Sequence, residues 1–241
     1  QFKYGSFTSP SPATRKETIQ RVKEAMDAAK EIGCPLVNLW PGQDGHDYMF
    51  QSNYQKAWKL LIEGIRECAE YRSDVKIGIE YKLKEPRTHL FLSTVGKALL
   101  ICNEVGLSNV GVTLDVGHAM MAYENLAESA VLLGCKGKLF NVHLNDNYAD
   151  WDWDLIPVTT HFLQFLEFLL WLKILKYKGW ILMDVFPRRD DPVKVFNCSM
   201  KNLKHVVRLL KKVKVEAFMK QIEKGDSTEI WLTLNKILSA P

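Results

Sequence analysis

No long apolar run, no block of one charge sign and no paired-cysteine motif occurs in these 241 residues. The longest apolar stretch, Phe162–Leu175, is broken by Gln164, Glu167 and Lys173. It is too short and too polar to span a bilayer, which takes about 20 mostly apolar residues, so no membrane partner is expected. The formal net charge is +4, with both signs interspersed, and charge alone gives no reason to expect a nucleic-acid partner. The Lys-rich stretch Lys211–Lys214 reads as the solvated face of a helix. Five cysteines (Cys34, Cys68, Cys102, Cys135, Cys198) lack CxxC spacing. An odd, unspaced set implies free thiols serving as small core residues in a reducing compartment. No signal-peptide pattern opens the chain, so a cytoplasmic location is expected. No GxGxxG follows a strand and there is no Walker loop, which removes support for a dinucleotide or phosphate-loop site.

What is present is an ordinary globular composition, 47% hydrophobic and 25% charged, with ample material for a core. Thr14 and Glu17 have the spacing of a capping box, and a helix to about Ile32 is expected, stopped by Gly33. Strands are expected at Pro35–Trp40, Val75–Tyr81, Val110–Asp115, Lys138–Asn145 and Trp180–Phe186. Helices are expected between them, at about Asn53–Tyr71, Ser93–Val105, Asn125–Gly134 and Phe162–Lys176. Val116-Gly117-His118 reads as a loop. Two or three further helices follow from about Pro192. Strict alternation implies parallel βαβ units with right-handed crossovers, and near-continuous apolar strands imply a sheet covered on both faces.

Four of these strands end in a potential metal ligand: Glu80 (KIGIE), Asp115 (VGVTLD), His143 (KLFNVH) and Asp184 (GWILMD). They are separated by 35, 28 and 41 residues, about one strand–helix unit each. Residues two apart in a strand share a face. Glu80 therefore shares a face with Lys82, Asp115 with Thr113, His143 with Asn141 and Asn145, and Trp40 with Asn38. The polar strand ends thus converge on one interior mouth, where α/β barrels carry their sites. Three carboxylates and an imidazole repel or crowd one another unless a cation sits between them. An oxygen-rich set with one imidazole suits Mn²⁺, with Mg²⁺, Co²⁺ or Zn²⁺ as alternatives. His118, three residues past Asp115, and the pair Asp152 and Asp154 form a candidate second cation site. Asp146 and Asp150 read as solvated decoys. Trp40 could wall a sugar's C–H face. Gln43, Asp44 and His46 have weaker support as ligand contacts, and His205 reads as a surface residue.

The strings LWPGQDG, IEYKLKEPR, TLDVGHA, VHLNDN and LMDVFPRRDDP resemble the xylose-isomerase-like TIM-barrel superfamily. The likeness runs from about Tyr4 to Lys204 and is greatest to sugar isomerases related to L-rhamnose isomerase, with the D-tagatose and D-psicose 3-epimerases as cousins. The resemblance implies a (β/α)8 TIM barrel of which about five of eight strands are visible, as an N-terminally truncated catalytic domain (1–214) and a C-terminal helical extension (215–241). An open arc would expose two sheet edges, so a homo-oligomer is expected. Glu80, Asp115, His143 and Asp184 would hold the substrate-orienting metal, and His118, Asp152 and Asp154 a second one. Catalytic roles would fall to Glu80, Lys82, His118 and Asp184, and substrate contacts to Trp40, Lys82, Glu85 and His118.

The implied activity is aldose–ketose isomerisation of a small-molecule sugar by hydride shift, assisted by two divalent ions. The alternative is ketose 3-epimerisation, with one metal and Glu80 and Asp184 exchanging the C3 proton. A barrel without turnover is a third reading. A histidine-rich trinuclear zinc endonuclease site is disfavoured, because only two of the six histidines sit near strand ends.

Overall fold

The computed structural model describes residues 2–239. Helix α1 spans Pro12–Glu31, followed by strands β1 (Leu36–Leu39) and β2 (Gly45–His46) and helix α2 (Tyr54–Tyr71). Then come β3 (Lys76–Glu80), β4 (His89–Leu90), α3 (Val95–Val105), β5 (Val110–Asp115), α4 (Val116–Met121) and α5 (Leu126–Gly134). The remainder comprises β6 (Leu139–Leu144), α6 (Phe162–Ile174), β7 (Trp180–Met183), α7 (Pro192–Lys211), α8 (Val215–Glu223) and α9 (Ser227–Ser239).

Helix starts follow local chemistry. Asn53, Thr94, Asn125 and Asp191 each accept a first-turn N–H through their side chains, relieving donors that have no partner within the helix. At α1 the cap is Ser11, whose Oγ accepts from Thr14 N at 3.3 Å, not Thr14 itself. Pro12 sets the helical φ at the first position and needs no N–H there, so the helix begins earlier than the Thr14–Glu17 pair suggested. Gly106 closes α3 in the left-handed conformation, φ 72°, where a glycine meets no steric cost.

Five parallel strands form a curled half-barrel in the order β1-β3-β5-β6-β7. Ile77, Ile79, Val110, Val112, Leu114, Val142 and Leu144 are fully buried; they alternate with the polar inner positions and pack against the helices. The inner face carries Gly78 and Glu80, then Thr113 and Asp115, then Asn141 and His143. The register sets Glu80 beside Thr113 and Asp115 beside His143. A shift between Val112 and Thr113 lets β6 keep this alignment. A Cβ on Gly78 would come within 2.6 Å of Thr113 Oγ1, so close strand approach on the inner face requires a glycine. Within the described residues β1 and β7 are the sheet edges, and Trp180, Ile181 and Leu182 of β7 are exposed. Helix α8 adds Phe218 to the buried cluster, and Ile230, Leu234 and Ile237 of α9 pack against it. Among the described residues no helix is long and apolar enough to cross a membrane.

The first loop corrects two expectations. Asp44 does not reach toward the inner site. It is buried and accepts from Ser6 N (3.0 Å), Thr8 N (2.7 Å), Thr8 Oγ1 (2.5 Å) and Ser6 Oγ. This holds the N-terminal loop so that Phe7 fills the space above Gly64. His46 belongs to a small antiparallel sheet, paired with His89, and its ring meets Tyr54, His89 and Phe91. The thiols also divide. Cys68 and Cys102 are core residues and Cys34 is half-buried, but Cys135 and Cys198 are exposed, Cys135 because it caps the end of α5. Asp146 is fully buried, not solvated as expected. It accepts from Thr159 N, Thr160 N and the His161 ring.

Replacing Asp44 with alanine would strand four donors of the N-terminal loop. Leaving buried donors unpaired costs about 1–3 kcal/mol each where water cannot reach them. The expected result is a loss of at least about 2 kcal/mol in urea unfolding, with the affinity of the inner site for Mn²⁺ unchanged.

Candidate metal centre

Each strand delivers its ligand by a simple local device. Glu80 and Asp115 are the last residues of β3 and β5, and His143 is the penultimate residue of β6. Asp184 follows β7 directly, its N–H donating to Leu144 O at 3.0 Å, so the sheet alignment carries on through it. The segment read as a loop after Asp115 is the first turn of α4. Asp115 is the N-cap, Oδ1 accepting from His118 N at 2.9 Å. A carboxylate at a helix start is favoured by the N–H groups there, and the turn swings His118 back over Asp115.

One potential ligand atom from each of Glu80, Asp115, His143 and Asp184 lies within 4.8 Å of all the others. His143 Nδ1 is 3.1 Å from Asp184 Oδ2, 3.4 Å from Glu80 Oε1 and 3.9 Å from Asp115 Oδ2. Glu80 turns its other oxygen to Asn38 Nδ2, 2.5 Å away. A second group, Asp115, His118 and Asp152, meets the same distance limit and shares Asp115 with the first. His118 Nε2 is 3.1 Å from Asp152 Oδ2, and its Nδ1 is 3.4 Å from Glu80 Oε1. His118 Nδ1, His143 Nδ1 and Asp152 Oδ1 are buried with no hydrogen-bond partner. Buried polar atoms are nearly always satisfied. Two imidazole nitrogens and a carboxylate oxygen, orphaned among acids, are the donor set of a hard or borderline divalent cation. The residues therefore fit the metal that the strand-end pattern suggested.

Asp154 does not join either group. Its backbone is left-handed (φ 49°) and its carbonyl accepts from Phe186 N at 3.1 Å, tying the loop to the end of β7. Lys82 lies at the rim, 2.8 Å from Glu85 Oε1 and 2.9 Å from Asp152 Oδ2. Its ammonium is 5.5 Å from the centre of each of two indole rings, Trp40 and Trp151. Trp40 is 46% exposed, open to a ligand. Trp151 was given no role from sequence, and the only available signal was its place beside Asp152.

Protonation follows from this crowding. Burial disfavours a charged His143 ring, but the carboxylates of Asp184, Glu80 and Asp115 gathered around it lift it to about 10. Burial likewise opposes a charged His118, yet Asp115, Asp152 and Glu80 raise it to about 9. Burial pushes Asp115 up to about 6, partly offset by His118 and reinforced by Glu80 and Asp152. Burial and then the charges of Asp152, Asp184 and Asp115 bring Asp154 to about 7. Burial would raise Asp152 as well, but His118 and Lys82 hold it near 2. Asp184 is lowered, chiefly by the His143 ring beside it. Lys82 loses charge stability to burial, but Glu85 and Asp152 outweigh that and raise it.

In the metal-free protein both rings thus act as surrogate cations. Their raised values stabilise the fold fully below the unfolded value near 6.5, and that contribution is lost as pH climbs through about 9 and 10. Metal must displace both ring protons. We expect apparent Mn²⁺ affinity to climb about tenfold or more per pH unit between pH 7 and 8.5. Titration calorimetry in buffers of different ionisation enthalpy should register proton release. Binding without proton release, at an affinity independent of pH, would exclude these rings as ligands.

Comparison with known proteins bears on the family and the fold. The family model described as "Xylose isomerase-like TIM barrel" matches residues 2–212. Xylose isomerase of Thermus thermophilus is 30% identical over 150 residues, covering 60% of this chain and 39% of that protein. The chain therefore spans about two fifths of the curated relative it matches. Among solved structures, a D-tagatose 3-epimerase-like protein superposes with a TM-score of 0.71 at 25% identity, covering 86% of this chain and 76% of that one. D-psicose 3-epimerase from Clostridium cellulolyticum H10 has a TM-score of 0.68 at 16% identity, covering 87% and 76%; that likeness shows the fold alone. With a matching fold, and strand-end acids and imidazoles gathered at one mouth, the chain belongs to the xylose isomerase-like TIM barrel family.

Proposed function

We propose that the site serves a metal-dependent sugar isomerase that interconverts an aldose and a ketose by hydride shift between neighbouring carbons. The observation that carries this reading is the second convergent group, Asp115, His118 and Asp152, joined to the first through one shared carboxylate. An epimerase needs only the first. Divalent ions held there, Mn²⁺ foremost, would polarise a sugar carbonyl and its neighbouring hydroxyl.

The remaining roles belong to the chain's own side chains. Lys82 is held between Glu85 and Asp152, and its charge is fixed by those acids. It is placed to donate to a sugar oxygen on which negative charge grows, a contact that strengthens in the transition state. Glu85 keeps that ammonium at the rim. Trp40 offers an apolar wall to C–H groups. The two indoles beside Lys82 exclude water from its flanks, which strengthens its hydrogen bonds. Asp154, outside the converging ligands, would join the second group only by a turn of its side chain. Free thiols accord with a cytoplasmic setting, and a homo-oligomer would cover the exposed residues of β7.

Ketose 3-epimerisation is the second reading, favoured by the 25%-identical epimerase-like structure. There Glu80 and Asp184 would pass the C3 proton. The two differ in what solvent contributes. With Mn²⁺ and a panel of aldoses and ketoses in D₂O, we expect product carrying little deuterium. Substantial deuterium at C3 would transfer the assignment to epimerisation, and no turnover of any sugar would count against both. Asp152→Asn should lower isomerase turnover by about 10–100-fold, since partners in a metal site typically account for one to two orders of magnitude. The same substitution should leave metal binding at the Glu80 group intact.

A further inference from the structure

Asp115 is the carboxylate that both ligand groups share, so its orientation decides the geometry of each. It is fully buried, and its surroundings are more specific than a ligand role alone explains. Asn145, just beyond β6 and also fully buried, places its Nδ2 3.1 Å from Asp115 Oδ1 and 2.9 Å from Oδ2. With His118 N on Oδ1, the carboxylate meets donors on both oxygens and is not free to rotate. Asn145 Oδ1 is buried with no partner of its own; it lies against the Cα of Gly117, where a Cβ would overlap it. No left-handed φ demands a glycine at 117; the room taken by the Asn145 amide does. Asn147 completes the arrangement, its Nδ2 donating to Gly117 O at 3.0 Å.

We propose that Asn145, with the space left by Gly117, is a positioning residue that sets the Asp115 carboxylate for divalent-cation binding. This rests on the metal-dependent reading above. The chemistry favours an amide over other donors. A lysine or arginine in its place would orient Asp115 equally well, but its charge would repel the incoming cation. A hydroxyl offers one proton and a free rotor. A primary amide donates to the carboxylate, stays neutral at every pH, and cannot reverse, because its oxygen would then face Asp115. Packing alone would be met by a leucine of the same branched shape, without the orphaned oxygen that Asn145 retains. Partners of this kind typically change metal affinity 10–100-fold.

The test is Mn²⁺ binding by titration calorimetry, backed by electron paramagnetic resonance of free ion, on the parent chain and two variants. Asn145→Leu removes the amide while keeping the same branched shape. Gly117→Ala keeps the amide and pushes it off Asp115. Thermal melts without metal report folding separately. Both variants should bind Mn²⁺ about 10–100-fold more weakly than the parent, by an amount out of proportion to any change in metal-free melting temperature. If Asn145→Leu does not fold, Gly117→Ala carries the test by itself. Binding within twofold of the parent by a folded variant overturns the positioning role and leaves the metal reading standing. Failure of the parent chain to bind Mn²⁺ overturns both.

Discussion

Mutual repulsion among buried carboxylates is the constraint around which this structure is arranged. Glu80, Asp115 and Asp152 meet at the sheet's C-terminal end with Asp184 beside them, and the first two are almost wholly out of water. Charges at such distances in a poorly polarisable interior interact by several kcal/mol, so every neighbour is recruited to offset them. Two imidazoles take protons they would otherwise release near neutrality. Lys82 sits on Asp152, Asn38 bonds Glu80, and backbone and amide donors hold Asp115. These partners do not complete the set, since both ring Nδ1 atoms remain without hydrogen bonds. A divalent cation is the species we propose to resolve the remainder.

The fold supplies the rigidity that such crowding needs. Parallel pairing sets β3, β5, β6 and β7 in one register, so ligands 28 to 41 residues apart in the chain arrive at one level. Helices packed on the outer face leave each strand no freedom to slide, because a one-residue slip would turn Glu80 or His143 outward and Ile79 or Val142 inward. The loop after β6 is held by Asp146, which gathers Thr159, Thr160 and His161. Its neighbours Asn145 and Asn147 face the opposite way, to Asp115 and Gly117. One short polar run thereby serves the site on one side and its supporting loop on the other.

Much of this was legible in residue order. Alternation of apolar runs with capped helical stretches located all five parallel strands, and period-two reasoning put Glu80, Asp115 and His143 on one inner face. What was not legible came from choices made at a distance. Asp44 and His46 looked available to a ligand, but the N-terminal segment and β4 claim them. Val116–His118 lacked the length of a visible helix, and becomes one only because Asp115 caps it. Asp154 shares its spacing with Asp152 but not its direction, since a left-handed residue diverts the chain there.

The sequence by itself determined which residue types would stand at the strand ends and the period that assigns them to one face, because strand alternation is local geometry. Tertiary structure alone decided which atoms meet. The shared place of Asp115 in two ligand groups, the hold of Asn145 on its carboxylate, the seating of Lys82 between two indoles and the protonation of both rings depend on strand curvature and helix packing. Those relations join residues tens of positions apart, and no local pattern encodes the distance between them.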